Sequence, residues 1–359
     1  MQSCASSTNG MGKGRLRPSA PRSRGAALLR AAAGAVALLL PAAPCAAAEG
    51  PVQPGDVPRV VVAGEPVEPV PVAVPVDPAL ADLGRHLFFD TRLSGDGTLS
   101  CASCHDLATG GDDGRPRAVG PGGVLRPYNA PSLFNLAFHD RYGWAAEYRS
   151  LPQQVGHAVE EEMGATWPQV TARLAADPAV TQRAPQGLDR PLAEAALAAY
   201  VASLVTPDSR FDRWLGGDAT ALTEEERRGY ALFKSYGCAS CHQGKAMGGT
   251  MVQKVGLFHP FFPRRGDSPE ADLGRFAVTG QEQDRHVFKV PSLRNVAETA
   301  PYLHDGSVAT LEGAVRLMAY YQVGRSPEDL DVAAISAFLR TLTGTPPGTI
   351  RPPVRKVGS

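Results

Sequence analysis

The chain has 359 residues, 43% of them hydrophobic, with 36 basic and 36 acidic side chains and a formal net charge of zero. That length suits two domains of ordinary size, and the composition is that of a folded globular protein. Six of the basic residues (Lys13, Arg15, Arg17, Arg22, Arg24 and Arg30) lie in the first 48 residues, which carry no acid. The remainder is mildly acidic, which argues against nucleic acid as a partner.

In chain order, residues 1–48 read as an export signal. A basic region reaches Arg30, an apolar run covers residues 31–40, and small residues end at Ala46, Ala47 and Ala48. The apolar run is shorter than the roughly 20 residues a membrane span needs. The expectation is a periplasmic protein cleaved near Ala48, with no membrane segment afterwards. Residues 49–78 are rich in Pro and Val and read as an extended, loose tether, because proline fixes φ and removes a donor. Apolar residues at helical spacing predict a helix over residues 79–89. Residues 110–123 are rich in Gly and Pro and predict a long loop of the kind that is often functional.

An Ala/Leu-rich helix is predicted over residues 191–205, stopping before Pro207. Residues 206–222 read as an interdomain connection. Thr223 followed by Glu226 is a capping box opening a helix. Ser326 as cap, with Pro327 in the first turn, predicts another that runs to about Leu342. The Pro-rich, basic residues 346–359 read as a loose tail.

One five-residue motif occurs twice: Cys101-Ala102-Ser103-Cys104-His105 and Cys238-Ala239-Ser240-Cys241-His242. C-x-x-C-H is the attachment signature of a c-type haem. Two thiols three positions apart can form thioethers to one porphyrin, and the histidine that follows can ligate the iron. A zinc ribbon is the rival, but it places its cysteine pairs roughly 15–20 residues apart. A redox disulfide needs no histidine after each pair. Cys4 and Cys45 fall in the leader, so every remaining cysteine belongs to a motif. The cofactors expected are two covalently bound haem c. Each half then reads as helix, motif, Gly-rich loop and more helix. The expected fold is all-α: two cytochrome c-like haem domains, residues 79–205 and 223–345, packed face to face with long loops and little strand.

Several further motifs carry a resemblance. These are Leu83-Gly84-Arg85 with Leu87-Phe88-Phe89-Asp90, the first C-x-x-C-H, Arg275-Phe276-Ala277-Val278-Thr279, and Pro291-Ser292-Leu293-Arg294-Asn295. Ala300-Pro301-Tyr302-Leu303-His304-Asp305-Gly306 and the closing Ala337-Phe338-Leu339-Arg340-Thr341-Leu342 follow. Together they resemble the bacterial di-haem cytochrome c peroxidases and their MauG-type relatives over roughly residues 79–345, in the order that family uses.

The resemblance implies that His105 and His242 are the proximal ligands and that the second haem takes up electrons. Its distal ligand would be Met318, which the sequence alone reads as an apolar helix position beside Leu311 and Val315. MauG-type proteins carry tyrosine there, so Tyr320 and Tyr321 remain open. The first haem would be the peroxide site. Where the family supplies a distal histidine, this chain reads Val119-Gly120-Pro121, which implies an open iron. His139 and His157 are the nearest substitutes. Gln154 matches the family's glutamine and Glu162, before Met163, its glutamate, although the spacing leaves Glu160 and Glu161 open. Trp144 would bridge the two haems, without the aspartate, glycine and arginine that usually follow it. Asn129, Thr299 and Pro301 match the ligands of one calcium ion.

Two enzyme functions follow from this resemblance, and a non-enzyme reading stands beside them. The first is a peroxidase reducing hydrogen peroxide with electrons from a small cytochrome c or cupredoxin. The second is a MauG-type oxidase modifying a tryptophan or tyrosine of a partner protein. The non-enzyme reading, a plain di-haem electron carrier, would have two six-coordinate irons. Homodimers are common in the family.

Overall fold

The computed structural model describes residues 64–262 and 269–353. The expected export signal and the first part of the Pro/Val-rich segment lie outside the described residues.

The order is α1 (Pro78–Phe88), α2 (Leu151–His157), α3 (Trp167–Leu174), α4 (Pro178–Arg183), α5 (Arg190–Ser203), α6 (Arg210–Leu215), α7 (Glu224–Ser235), α8 (Phe276–Thr279), α9 (Leu311–Leu317) and α10 (Asp329–Arg340). Strand is sparse: β1 (Val252–Lys254) pairs antiparallel with β2 (Val287–Lys289), Val252 opposite Lys289. Local chemistry sets the helix starts. Asp77 caps α1 by accepting from the Ala79 amide at 2.8 Å, with Pro78 in the first turn, and Asp189 caps α5 likewise. The capping box of α7 forms as expected, the Thr223 amide donating to Glu226 Oε2 at 2.8 Å. The last helix starts later than expected: Glu328 is its cap residue, without a side-chain bond, and Ser326 lies outside it. Among the described residues no helix is long and apolar enough to cross a membrane.

The halves repeat one another element by element. α1 crosses α5 at Gly84, where a Cβ would lie 1.9 Å from the Ala196 carbonyl oxygen. α7 crosses α10 at Gly229, where a Cβ would lie 1.9 Å from that of Ala334. Each crossing seats its own apolar core, around Leu83, Leu87, Phe88, Leu197 and Tyr200 in one half and Phe211, Tyr230, Phe233 and Phe338 in the other. Ser132 Oγ donates to the Gly110 carbonyl at 2.6 Å, and Ser292 Oγ to that of Ala246 at 2.7 Å. A short bridge follows in each half, Tyr142 with Tyr148 and Tyr302 with Val308. Then comes a helix ending in a π-turn: α2 into Ala158–Glu162, and α9 into Met318–Gln322.

Three segments differ from expectation. The described part of the tether is a strap. Val67 and Val70 are buried, Val67 in the core of the second half, and Glu65 accepts from Tyr230 Oη at 2.6 Å and Lys234 Nζ at 2.9 Å. The tail as far as residue 353 is held on the first half, because Tyr200 Oη donates to the Thr349 carbonyl at 2.8 Å and Arg85 to that of Arg351 at 2.7 Å. The segment expected as a connection contains α6, whose Phe211 and Leu215 are wholly buried. In each case long-range burial of apolar side chains, or capture of a backbone carbonyl, holds a segment whose local signals are Pro and Gly.

Candidate haem sites and the cavity of the second

Each C-x-x-C-H motif folds into a 3₁₀ turn, Cys101–Ser103 and Cys238–Ser240. The His105 amide returns to the Cys101 carbonyl and the His242 amide to that of Cys238, both at 3.0 Å. No disulfide joins the four thiols. Burial pushes Cys101 up to about 12 and Cys238 up to about 11, and raises Cys104 as well, so these are uncharged apolar thiols. His105 Nδ1 lies 3.1 Å from the Gly111 carbonyl, and His242 Nδ1 lies 3.2 Å from that of Met247. An Nδ1–H that donates to a carbonyl leaves Nε2 as the ligating nitrogen and fixes the ring plane. Burial lowers both imidazoles, keeping them in the neutral form that binds iron. Two free thiols and a pre-oriented imidazole at each place fit a c-type haem.

The second site opens into a cavity of about 510 Å³ lined by Cys238, Cys241, His242 and Met318, with Phe233, Leu293, Val315 and Leu339 among its apolar walls. Met318 begins the π-turn after α9. Tyr320 lies outside the cavity, stacked on His259 at a centroid distance of 4.3 Å, and Tyr321 packs edge-on against Phe261 at 5.0 Å. Of the three candidate sixth ligands, Met318 is the one that reaches the cavity.

At the first site the long loop folds back through a Val119–Leu125 bridge, and the Arg126 guanidinium covers Gly120. Pro121 Cγ comes within 3.9 Å of a Cβ built on Gly164, so the loop packs beside the π-turn that carries the acidic run. Glu162 Oε2 lies 3.2 Å from Arg126 Nε and Oε1 3.6 Å from His157 Nε2, while Arg126 also donates to the carbonyls of Glu161 and Glu162. The neighbouring His157 imidazole holds the Glu162 carboxyl below the usual carboxylate range against the opposing effect of burial. Arg126, His157 and His105 add to that lowering by their charge. Glu160 instead pairs with Arg190 at 2.9 Å, and Glu161 is exposed. Gln154 Oε1 is buried without a hydrogen-bond partner among the described residues. So is Glu147 Oε2, and the two flank one point: a Cβ on Gly143 would lie 1.9 Å from Glu147 Oε2 and 3.4 Å from Gln154 Oε1. Burial raises the Glu147 carboxyl. Sequence reasoning missed Glu147, whose one signal was its place in the altered flank after Trp144.

Trp144 lies on the wall of the second cavity. Its Nε1 donates to the Asn129 carbonyl at 2.9 Å, its own carbonyl accepts from the Lys289 amide at 2.8 Å, and its indole lines the second cavity beside Asn129, Thr299 and Pro301. Asn129 spends its Nδ2 on the Arg115 carbonyl at 2.7 Å, which leaves its side-chain oxygen for a hard cation. The two substitute histidines separate. His157 stays at the first site against Tyr148, and His139 lines the second cavity, where it is no candidate for the first iron.

A largely helical fold carrying two such sites defines a di-haem c-type protein, and known proteins place it further. The family model described as di-haem cytochrome c peroxidase matches residues 78–220. The cytochrome c551 peroxidase of Nitrosomonas europaea is 41% identical over 295 residues, covering 80% of this chain and 87% of that protein. The cytochrome c peroxidase Ccp of Escherichia coli is 43% identical over 78% of this chain, which spans only 61% of that longer protein. A solved MauG-like protein associated with microbial copper homeostasis is 32% identical with a TM-score of 0.67, over 84% of this chain and 98% of that one. The chain belongs to the di-haem cytochrome c peroxidase family of enzymes.

Proposed function

We propose that this protein is a periplasmic peroxidase that reduces hydrogen peroxide, with two protons and two electrons, to two waters, the electrons coming from a small cytochrome c or cupredoxin. The observation that carries this reading is Met318 in the cavity of His242, with both tyrosines turned away from it. When bound, haem supplies the iron redox chemistry, and histidine–methionine ligation suits the second site to receiving electrons. Cys101, Cys104, Cys238 and Cys241 anchor the two groups, and His105 and His242 are their proximal ligands.

Pro121 offers no ligand atom, so the distal side at the first motif is left to substrate. There the Gln154 amide orients peroxide. Glu162, ionised beside His157 and Arg126, takes the proton from the nearer peroxide oxygen and delivers it to the farther one as the O–O bond parts. Trp144 is the aromatic contact between the two sites. Asn129, Thr299 and Pro301 hold a calcium ion at the cavity wall through oxygen donors.

One observation favours a second reading, a MauG-type oxidase acting on a partner protein. Trp144 is followed by Ala145, Ala146 and a half-buried Glu147, whose Oε2 is buried, rather than by the usual aspartate, glycine and arginine. Resting ferric spectra and peroxide turnover with a reduced cytochrome decide between them. One high-spin and one low-spin haem with fast turnover is the expected result. Only low-spin haem would remove the open first site and favour a plain electron carrier. Slow turnover with a persistent oxidised state moves the assignment to the oxidase.

A further inference from the structure

Among the buried polar side chains that line the second cavity, His139 and Lys289 serve neither the attachment motif nor Met318. His139 is 6% exposed, and neither ring nitrogen has a hydrogen-bond partner among the described residues. Lys289 is 7% exposed and its ammonium forms no hydrogen bond or ion pair with any described residue. Both line the cavity.

Neither side chain is there by slack packing. The His139 carbonyl accepts from Tyr142 Oη at 2.9 Å, and its ring lies over Tyr142 at a centroid distance of 6.5 Å. Gly249, at φ 86°, makes room for it, because a Cβ there would lie 2.3 Å from His139 Cδ2. The amides of Asp140 and Arg141 clamp the same segment onto the Gly249 carbonyl at 3.1 and 3.3 Å. Lys289 is fixed at the end of β2, opposite Val252, and through its amide to the Trp144 carbonyl.

Buried polar groups are normally paired, and a buried ammonium without an anion is costly. Burial lowers Lys289 to about 8, with Glu147 the one charge that opposes the shift. Burial also carries His139 well below its ordinary value, and the charge of Lys289 adds to that. Of the two arginines on the wall, Arg294 is committed to Asp212 at 2.8 Å and to the Glu68 carbonyl at 2.9 Å, and Arg325 lies over the Tyr236 ring at 5.2 Å. A place that offers one ring N–H and one ammonium, in a cavity whose walls are mostly apolar, suits a carboxylate. Haem carries two, on the edge away from its thioether bonds.

We propose that His139 and Lys289 form a carboxylate corner of the second cavity that holds a propionate of the haem attached at Cys238 and Cys241. This rests on the di-haem reading above. The imidazole N–H donates to one carboxylate oxygen and the ammonium pairs with the other. Because Lys289 is also bonded to the Trp144 carbonyl, the corner ties the edge of the second haem to the aromatic residue between the sites. A cation at the propionate disfavours the ferric state and so raises the reduction potential of that haem.

The test uses the two-haem protein and the variants Lys289→Met, Lys289→Arg and His139→Gln, with haem content measured first. In Lys289→Met one of the two midpoint potentials falls and the other stays, and Lys289→Arg restores it. In Lys289→Met and His139→Gln the propionate bending bands of the resonance Raman spectrum move. Unmoved bands and potentials in proteins with two haems attached overturn the proposal. If Lys289→Met does not fold, unmoved bands in His139→Gln overturn it alone. A wild-type potential that responds to added chloride or phosphate at constant ionic strength assigns the corner to a free anion, which also overturns it. Fewer than two haems in the wild type would instead sink the di-haem reading.

Discussion

Asn135 and Asn295 occupy the same place in the two halves, and both donate through Nδ2 to one hydroxyl, that of Thr206, at 2.8 and 2.9 Å. Both asparagines adopt left-handed backbone, with φ of 65° and 59°, a conformation asparagine tolerates better than most residues. Asn135 Oδ1 accepts from the Thr206 amide at 2.9 Å, and Asn295 Oδ1 from the Gly344 amide at 3.0 Å. The turns that lead towards Trp144 in one half and Met318 in the other thus hang from one buried residue.

Thr206→Val should leave two buried amide donors without an acceptor. Each such group costs about 1–3 kcal/mol. Chemical denaturation should show a loss of at least about 2 kcal/mol, and a loss near zero would mean that the asparagines find other partners.

Gly229→Ala should destabilise the second half specifically. Its methyl would meet the Ala334 carbonyl at 1.9 Å, a backbone contact that cannot rotate away. Overpacking of this kind costs about 1–3 kcal/mol. Gly348→Ala, where a Cβ meets nothing within 4 Å, is the control and should stay within about 0.5 kcal/mol of wild type.

Met318→Ala should abolish the methionine-ligated spectrum of one haem, lower its potential and reduce turnover with a cytochrome donor by at least about tenfold. Tyr321→Phe should leave the same spectrum unchanged. If the spectra of the two variants behave the other way round, the second haem is tyrosine-ligated.

Glu162→Gln should reduce peroxide turnover by at least about tenfold, and an unchanged rate would move the acid–base role elsewhere. The Glu162 carboxyl is lowered, so its ionised form persists below the ordinary range, and both its catalytic role and its stabilising contribution disappear as pH falls through that lowered value. Glu147 carries the opposite sign. Burial raises it, so the stability it contributes is present below its unfolded pKa and is lost as pH rises through the folded one. Glu147→Gln should therefore stabilise the protein more at pH 8 than at pH 5, and thermal melts at the two pH values check the difference.

The repeated C-x-x-C-H motif was legible because covalent attachment needs contiguous residues, and the capping box of α7 because one turn of chain contains it. The pairing of the halves was only half visible. Pro291-Ser292-Leu293-Arg294-Asn295 stood out, but its partner, Pro131-Ser132-Leu133-Phe134-Asn135, gains its meaning from Thr206, which is distant in sequence. Met318 and Tyr321 would neighbour each other on one face of an α-helix, so periodicity could not choose between them. The wider π-turn at Met318–Gln322 turns Tyr321 away, and that turn exists only in the packed protein. The same device after α2 leaves Glu162 with His157 while Glu160 meets Arg190. His139 read as a stand-in ligand for the first iron, yet packing against Tyr142 and Gly249 carries it to the second cavity. Contiguous residues were enough to mark the side chains that can hold two haems. What each iron would face followed from packing, because a side chain's surroundings depend on which distant segments fold against it.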